Sequence, residues 1–222
     1  MTETRKGEWM QTASGGRYWP DDPKPEDIHL ADIATALSRV CRFGGHGRAF
    51  YSVAQHSVLV SHEVKRRGGS LQDQQWGLLH DASEAYLGDV VWPLKRSPLM
   101  AGYKELERRS EVAIAKRFGL PVRDERAFGL DRSVADMPPI IKLVDLVLLS
   151  TEKRDIMGGQ DQHRPHGDRL EAKRALEEGR LGGSTHAWHS DDFAPLPDRI
   201  VPWTIGEACA RFLSRAGELG IR

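Results

Sequence analysis

Trp76–Val90, WGLLHDASEAYLGDV, sets four titratable side chains into a run that otherwise reads as a core helix. His80, Asp81, Glu84 and Asp89 stand among Trp76, Leu78, Leu79, Ala82, Ala85, Tyr86 and Leu87. Ser70 and Asp73 have the spacing of a capping box and Gly88 is a natural stop, which predicts one central helix between them. At 3.6 residues per turn His80 and Glu84 share a face, as do Asp81 and Glu84. Buried ionisable groups are costly unless paired or bound to a metal. An imidazole beside a carboxylate suits a divalent cation, with Glu84 one turn on to handle a water activated there. A solvated helix face is the alternative, and this stretch alone does not decide.

Working outward, the chain of 222 residues is long enough for one domain with a real core. Lys plus Arg equals Asp plus Glu, 32 each, so no overall basic field points to polymeric nucleic acid. Cys41 and Cys209 are the only cysteines, which gives no disulfide framework and fits a reducing compartment. The start, MTETRKGEWMQTASGG, has no apolar leader core, and no apolar run approaches a membrane span. The expectation is a soluble cytoplasmic protein without membrane partners.

Helical periodicity recurs along the chain and predicts an all-α fold. One helix is expected from about Asp27 to the Gly44–Gly45 pair, striped by Ile28, Ile33, Leu37 and Val40. Another follows Ser52 as N-cap and stops at Gly68. GYKELERRSEVAIAKRFGLP is amphipathic with a Gly-Leu-Pro end. PPIIKLVDLVLLSTEKRDIMGG starts on Pro139 and closes at Gly158. A last helix covers about Ile205 to Leu219. Strand signals are sparse, DRIVPW near Ile200 being short and containing Pro202. Residues 27–157 form the expected core and 203–222 the C-terminal helix. Residues 158–202 read as a polar excursion with one short helical candidate, GDRLEAKRALEEGR.

Two further groups interrupt apolar helices. His56 lies between FYSVAQ and SVLVS, where a satisfied core histidine is the bland alternative. Asp145 lies within IIKLVDLVLLS, and neither Lys142 nor Glu152 is expected to pair with it along the helix. Convergence of His56, His80, Asp81 and Asp145 on one divalent metal accounts for all of them at once, leaving open positions for water and substrate.

The order His, then His-Asp, then Asp, each on its own helix, resembles the HD-domain metal-dependent phosphohydrolase superfamily. It is closest to the branch of bacterial 5′-deoxynucleotidases and phage deoxynucleoside triphosphate hydrolases. AQHS, LLHDASEAYLGDV and KLVDLVLLSTE carry the resemblance, which spans about Arg39 to Glu152. It implies a helical HD-domain bundle holding one divalent ion (Mn, Co, Mg, Fe, Ni or Zn) on His56, His80, Asp81 and Asp145. Asp81 and Glu84 would be catalytic, with Glu84 orienting or deprotonating the attacking water. Asp89 would contact a deoxyribose 3′-hydroxyl, its alternative being an ordinary loop aspartate. Arg42 with Phe43 would bind phosphate and pack near the nucleoside, Arg39 and Arg48 competing for the phosphate. Lys95 in WPLKR would lie near phosphate, or be solvated. A homo-oligomer, most simply a dimer, is also implied.

The expected activity is a phosphomonoesterase acting on deoxynucleoside 5′-monophosphates. The alternatives are a triphosphohydrolase, on dATP for example, a phosphodiesterase, or a non-catalytic nucleotide-binding module. His163, His166, His186 and His189 could form a second metal site but read as surface histidines. His29, His46 and His62 read as solvated. Trp9, Trp19, Trp92, Trp188 and Trp203 sit beside Pro or Gly-rich turns and are expected to pin terminal segments to the core.

Overall fold

A computed structural model describes residues 5–124, 133–157 and 193–222. Within them the chain is mostly helical, as expected, with strands confined to two small hairpins. Gly158, the excursion helix, Trp188, His163, His166, His186 and His189 lie outside the described residues.

The first helix is shorter than its apolar stripe suggested. Pro25–Asp27 is a separate 3-10 turn, and α1 runs Leu30–Arg39, burying Ile33, Ala34 and Leu37. It ends because the chain is drawn into backbone pairing with the approach to the next helix. Val53 N–H donates to the Val40 carbonyl at 3.1 Å and Arg42 N–H to the Tyr51 carbonyl at 2.9 Å. Gly44 and Gly45 therefore close only a short turn, Arg42–Gly45, inside which Phe43 sits in the left-handed region at φ 61°.

Helix α2, Val53–Arg66, is the centre of the fold and packs against α1, α3, α7 and α8, which is Ile205–Glu218. Ser52 Oγ accepts the Gln55 N–H at 3.2 Å, the expected N-cap, and Gly68 follows the helix at φ 81°. Helix α3, Leu71–Leu79, opens on a complete Ser70/Asp73 capping box. Its Gly77 lets it approach α2 closely: a β-carbon there would lie 3.0 Å from Ser61 Cα.

The single helix expected from Ser70 to Gly88 is broken. After Leu79 the backbone tightens, with Ala82 N–H bonding the Leu79 carbonyl and Glu84 N–H the Asp81 carbonyl, both three residues back, before α4, Glu84–Leu87. Gly88 then ends α4 at φ 79°. The break falls where His80, Asp81 and Ser83, all modest helix formers, lie close together, though nothing in the run forbids a helix. It turns His80 and Asp81 onto the core side of α2.

Helix α5, Trp92–Lys95, leads through a 3-10 turn to α6, Ala101–Arg117. Strands β3, Val122–Asp124, and β4, Ser133–Ala135, pair antiparallel, with Val122 opposite Ala135. Helix α7, Pro139–Asp155, starts on Pro139 as the sequence requires. DRIVPW forms no strand. Its backbone is instead held by Gln55, whose amide donates to the Val201 carbonyl at 2.8 Å and accepts Trp203 N–H at 2.8 Å.

The amino-terminal strands β1, Met10–Gln11, and β2, Arg17–Tyr18, are a hairpin the sequence did not suggest. Tyr18 is fully buried, donates to Ser110 Oγ at 2.6 Å and stacks on Tyr86 of α4 with ring centres 3.8 Å apart. Arg5 covers Trp19, Arg17 covers Trp9 and Arg211 covers Trp203; Trp203 packs against the core as expected, while Trp9 and Trp92 are exposed. No helix among the described residues is long and apolar enough to cross a membrane.

Candidate metal centre

His56 comes from the middle of α2, His80 and Asp81 from the break between α3 and α4, and Asp145 from α7. His56 Nε2 lies 3.2 Å from His80 Nε2, 3.6 Å from Asp81 Oδ2 and 3.4 Å from Asp145 Oδ1. His80 Nε2 lies 3.2 Å from Asp81 Oδ2. Ligand atoms of His56, His80 and Asp81 all fall within 4.8 Å of one another, a group able to hold a metal ion.

Both rings are held from behind. His56 Nδ1 stands 2.6 Å from Glu152 Oε1, and His80 Nδ1 stands 3.0 Å from the Gly77 carbonyl. Each of these partners is an acceptor, so each Nδ1 carries a proton and each Nε2 points into the cluster. Two imidazole Nε2 atoms and two carboxylates facing one another call for positive charge, which a second proton on His56 or a bound cation can supply. Burial and Arg42 pull the His56 imidazole down, yet Glu152 and Asp145 outweigh them and lift it to about 9. Burial likewise opposes ionisation of Asp81, but His80, then His56 and Arg42, hold it well below the usual carboxylate range. Burial opposes Asp145 too, and His56 with Lys142 lowers it. Donor types and orientation fit a divalent cation.

Behind this group lies Glu152, fully buried, which the sequence reading treated only as a flank of Asp145. It accepts from His56, from Tyr51 OH at 2.9 Å and from Arg42 Nη2 at 3.0 Å. Burial raises its carboxyl and Arg42 with His56 more than reverses that, so it is ionised. Glu152 follows Asp145 by seven residues, two helical turns, and so shares its face; that spacing was the available signal. A second correction concerns Lys142, whose Nζ lies 3.1 Å from Asp145 Oδ2. The two are three residues apart, a pairing distance along a helix, which overturns the expectation that Lys142 does not pair with Asp145.

The other singled-out residues fall at different places. Glu84 is buried beside Asp81; burial, then Asp81 and Asp89, push its carboxyl well above the ordinary range. Lys95 Nζ stands 3.6 Å from Glu84 Oε1 and 2.6 Å from Glu107 Oε1, so it is ion-paired and not solvated. Arg42 donates from Nη1 to Asp81 Oδ2 at 3.3 Å, and its ring neighbour is Phe43, 5.3 Å away. Asp89 accepts the Phe43 N–H, and burial raises its carboxyl. Arg39 is exposed on α1 and lines a hollow with Asp32, Thr35 and Tyr86, to which no metal-cluster residue contributes. Arg48, His46 and His62 are exposed, and His29 precedes α1 as its N-cap residue.

A helical protein with a buried two-histidine, two-carboxylate cluster drawn from three places in the chain is thus the class defined by fold and site. The chain belongs to the family of the Escherichia coli (strain K12) protein named "Uncharacterized protein YfdR", with which it is 38% identical over 148 residues, covering 67% of this chain and 72% of that protein. It is also 42% identical over 121 residues to "Uncharacterized protein RCAP_rcc00048" of Rhodobacter capsulatus, 52% of this chain and 61% of that protein. No family model matches the chain.

Proposed function

We propose that the chain is an HD-domain metal-dependent phosphohydrolase, most specifically a phosphomonoesterase acting on deoxynucleoside 5′-monophosphates. The observation that carries this reading is the meeting of His56 and His80 Nε2 at 3.2 Å with Asp81 and Asp145 beside them, in the chain order His, His-Asp, Asp. His56, His80, Asp81 and Asp145 would hold the ion. A divalent cation there supplies Lewis acidity, lowering the pKa of water and withdrawing charge from a phosphoryl oxygen.

The remaining work falls to the chain's own groups. Hydrolysis of a phosphate ester needs a proton acceptor for the attacking water and positive charge around the phosphoryl oxygens. Glu84, buried beside the cluster with its carboxyl raised by burial, would take a proton from the attacking water and return it to the departing 5′-oxygen. Arg42 has five N–H groups. Glu152 and Asp81 engage two of its nitrogens and Nε has no hydrogen-bond partner among the described residues, which leaves donors for phosphate. Phe43 would pack on the nucleoside and Asp89 accept its 3′-hydroxyl. Arg39, away from the cluster, fits the phosphate role less well than Arg42.

The test is hydrolysis of deoxy- and ribonucleoside mono- and triphosphates with manganese, cobalt or magnesium, comparing the wild type with Asp81→Ala and Glu84→Ala. Metal-dependent phosphate release from deoxynucleoside monophosphates, lost in both variants, is the expected result. Triphosphate release from triphosphates alone would move the assignment to a triphosphohydrolase. Turnover untouched by either substitution, or none with any metal, would overturn the phosphohydrolase reading.

A further inference from the structure

We infer that Glu107, on α6 and outside the cluster, is a positioning residue that anchors Lys95 so that its ammonium stands beside Glu84 without closing on it. This rests on the phosphohydrolase reading, since it gives Glu84 a proton to carry. Lys95 ends the short helix α5, and its Nζ makes one short contact, 2.6 Å to Glu107 Oε1, and one longer contact, 3.6 Å to Glu84 Oε1. The other Glu84 oxygen, Oε2, is buried with no hydrogen-bond partner among the described residues. Glu107 is itself placed: four residues earlier on α6, Tyr103 OH donates to the Gly88 carbonyl at 3.2 Å, tying that face of α6 to the end of α4.

The consequence follows from the lysine stem. An ammonium on a flexible four-carbon chain settles on the nearest carboxylate in a poorly solvated place, because Coulomb attraction steepens as the dielectric falls. With Glu107 present, that carboxylate is Glu107, and Glu84 feels a nearby cation while keeping its oxygens available to water. Without Glu107, Glu84 at 3.6 Å is the nearest carboxylate left to Lys95 Nζ, with Asp81, Asp89 and Glu111 farther out. A direct Lys95–Glu84 bond would occupy an oxygen of Glu84 and take it away from the attacking water.

Glu107→Gln is therefore expected to lower kcat by roughly tenfold or more, the scale of weakened proton transfer, with KM changed by less than about threefold. Glu107→Asp, keeping the charge, should recover part of the loss. In a Lys95→Met background, Glu107→Gln should cost nothing further. Equal losses from Glu107→Gln in both backgrounds would mean that Glu107 serves only the fold and would overturn the inference. A crystal structure of Glu107→Gln supplies a readout independent of turnover. Lys95 Nζ closing to about 3 Å from Glu84 supports the inference, and Lys95 staying in place or swinging to solvent sinks it. If no substrate is hydrolysed at all, the phosphohydrolase reading fails, while that variant structure still decides whether Glu107 positions Lys95.

Discussion

His56 and His80 present Nε2 to each other at 3.2 Å while each Nδ1 is committed elsewhere, to Glu152 and to the Gly77 carbonyl. Two neutral rings so placed could not donate to each other, so the pair gains from positive charge, carried by a second proton on His56 or by a bound cation that replaces it. The chain should take up one divalent ion, and the ion should stabilise the fold. At a free concentration of about 100 times Kd the gain is about 2.7 kcal/mol, visible as a raised melting temperature that a chelator reverses. Elemental analysis and thermal melts of the wild type and Asp81→Ala check this. A melting temperature indifferent to metal and chelator in the wild type would remove the basis for the site.

Glu152 gives a sharper test, because it never touches the cluster's centre. Replacing it with Gln keeps the volume but strips the charge that Arg42, Tyr51 and His56 all address. A partner that orients a ligating histidine is typically worth 10–100-fold in metal affinity, so Glu152→Gln should weaken binding by about that factor. Stability should also drop, by up to about 3 kcal/mol, since Arg42 keeps Asp81 as its remaining counter-charge. Competition against a chromophoric chelator and urea unfolding measure the two effects. Unchanged metal affinity would show that the Nδ1 contact does not tune His56.

These two residues also mark where the sequence was legible. Ser52, Ser70 with Asp73, Gly68, Gly88 and Pro139 act locally, through caps and backbone preference, and each sits where its chemistry predicted. His56, His80, Asp81 and Asp145 were found because buried charge in an apolar helix needs a partner. The break at His80 was not, because the modest helix propensity of His80, Asp81 and Ser83 is too weak a signal to mark a break within an apolar run. Lys142 and Glu152 lay at helical spacings from Asp145, three and seven residues. Their contacts depend on which face α7 turns inward and on Arg42 arriving from 110 residues away. The β1–β2 hairpin left no periodic signal in strands so short.

Glu111 on α6 sets a further pH dependence, to which the charge of Asp81 also contributes. Burial, then Glu107, pushes its carboxyl up to about 7 against partial relief from Lys95. Its folded value thus lies above the unfolded one near 4.5, so the native state holds the extra proton between those limits. The sign follows: this group's contribution to stability falls as pH rises from about 4.5 to about 7 and is level above. Glu111→Gln removes the penalty. The variant should match the wild type near pH 4.5 and exceed it at pH 8 by about 1–3 kcal/mol, read as a difference in urea midpoint. The same offset at both pH values would show that the carboxyl is not perturbed.

Phe43 is the only non-glycine residue among those described with positive φ, at 61°, in the turn that also carries Arg42. A side chain in that region costs about 1–2 kcal/mol, while a glycine costs about 0.4–1 kcal/mol through the unfolded chain. Phe43→Gly should therefore be as stable as Phe43→Ala or more stable by up to about 1.6 kcal/mol, the reverse of the usual order. Both variants remove the ring, and the proposed role of that ring is to pack on the nucleoside. Both should then raise KM for a deoxynucleoside monophosphate by a similar factor while leaving phosphate release from a small aryl phosphate unaltered. Urea unfolding ranks the two stabilities, and steady-state kinetics on the two substrates isolates the ring. A loss of activity equal on both substrates would place the ring's contribution in holding Arg42 and not in contacting the nucleoside.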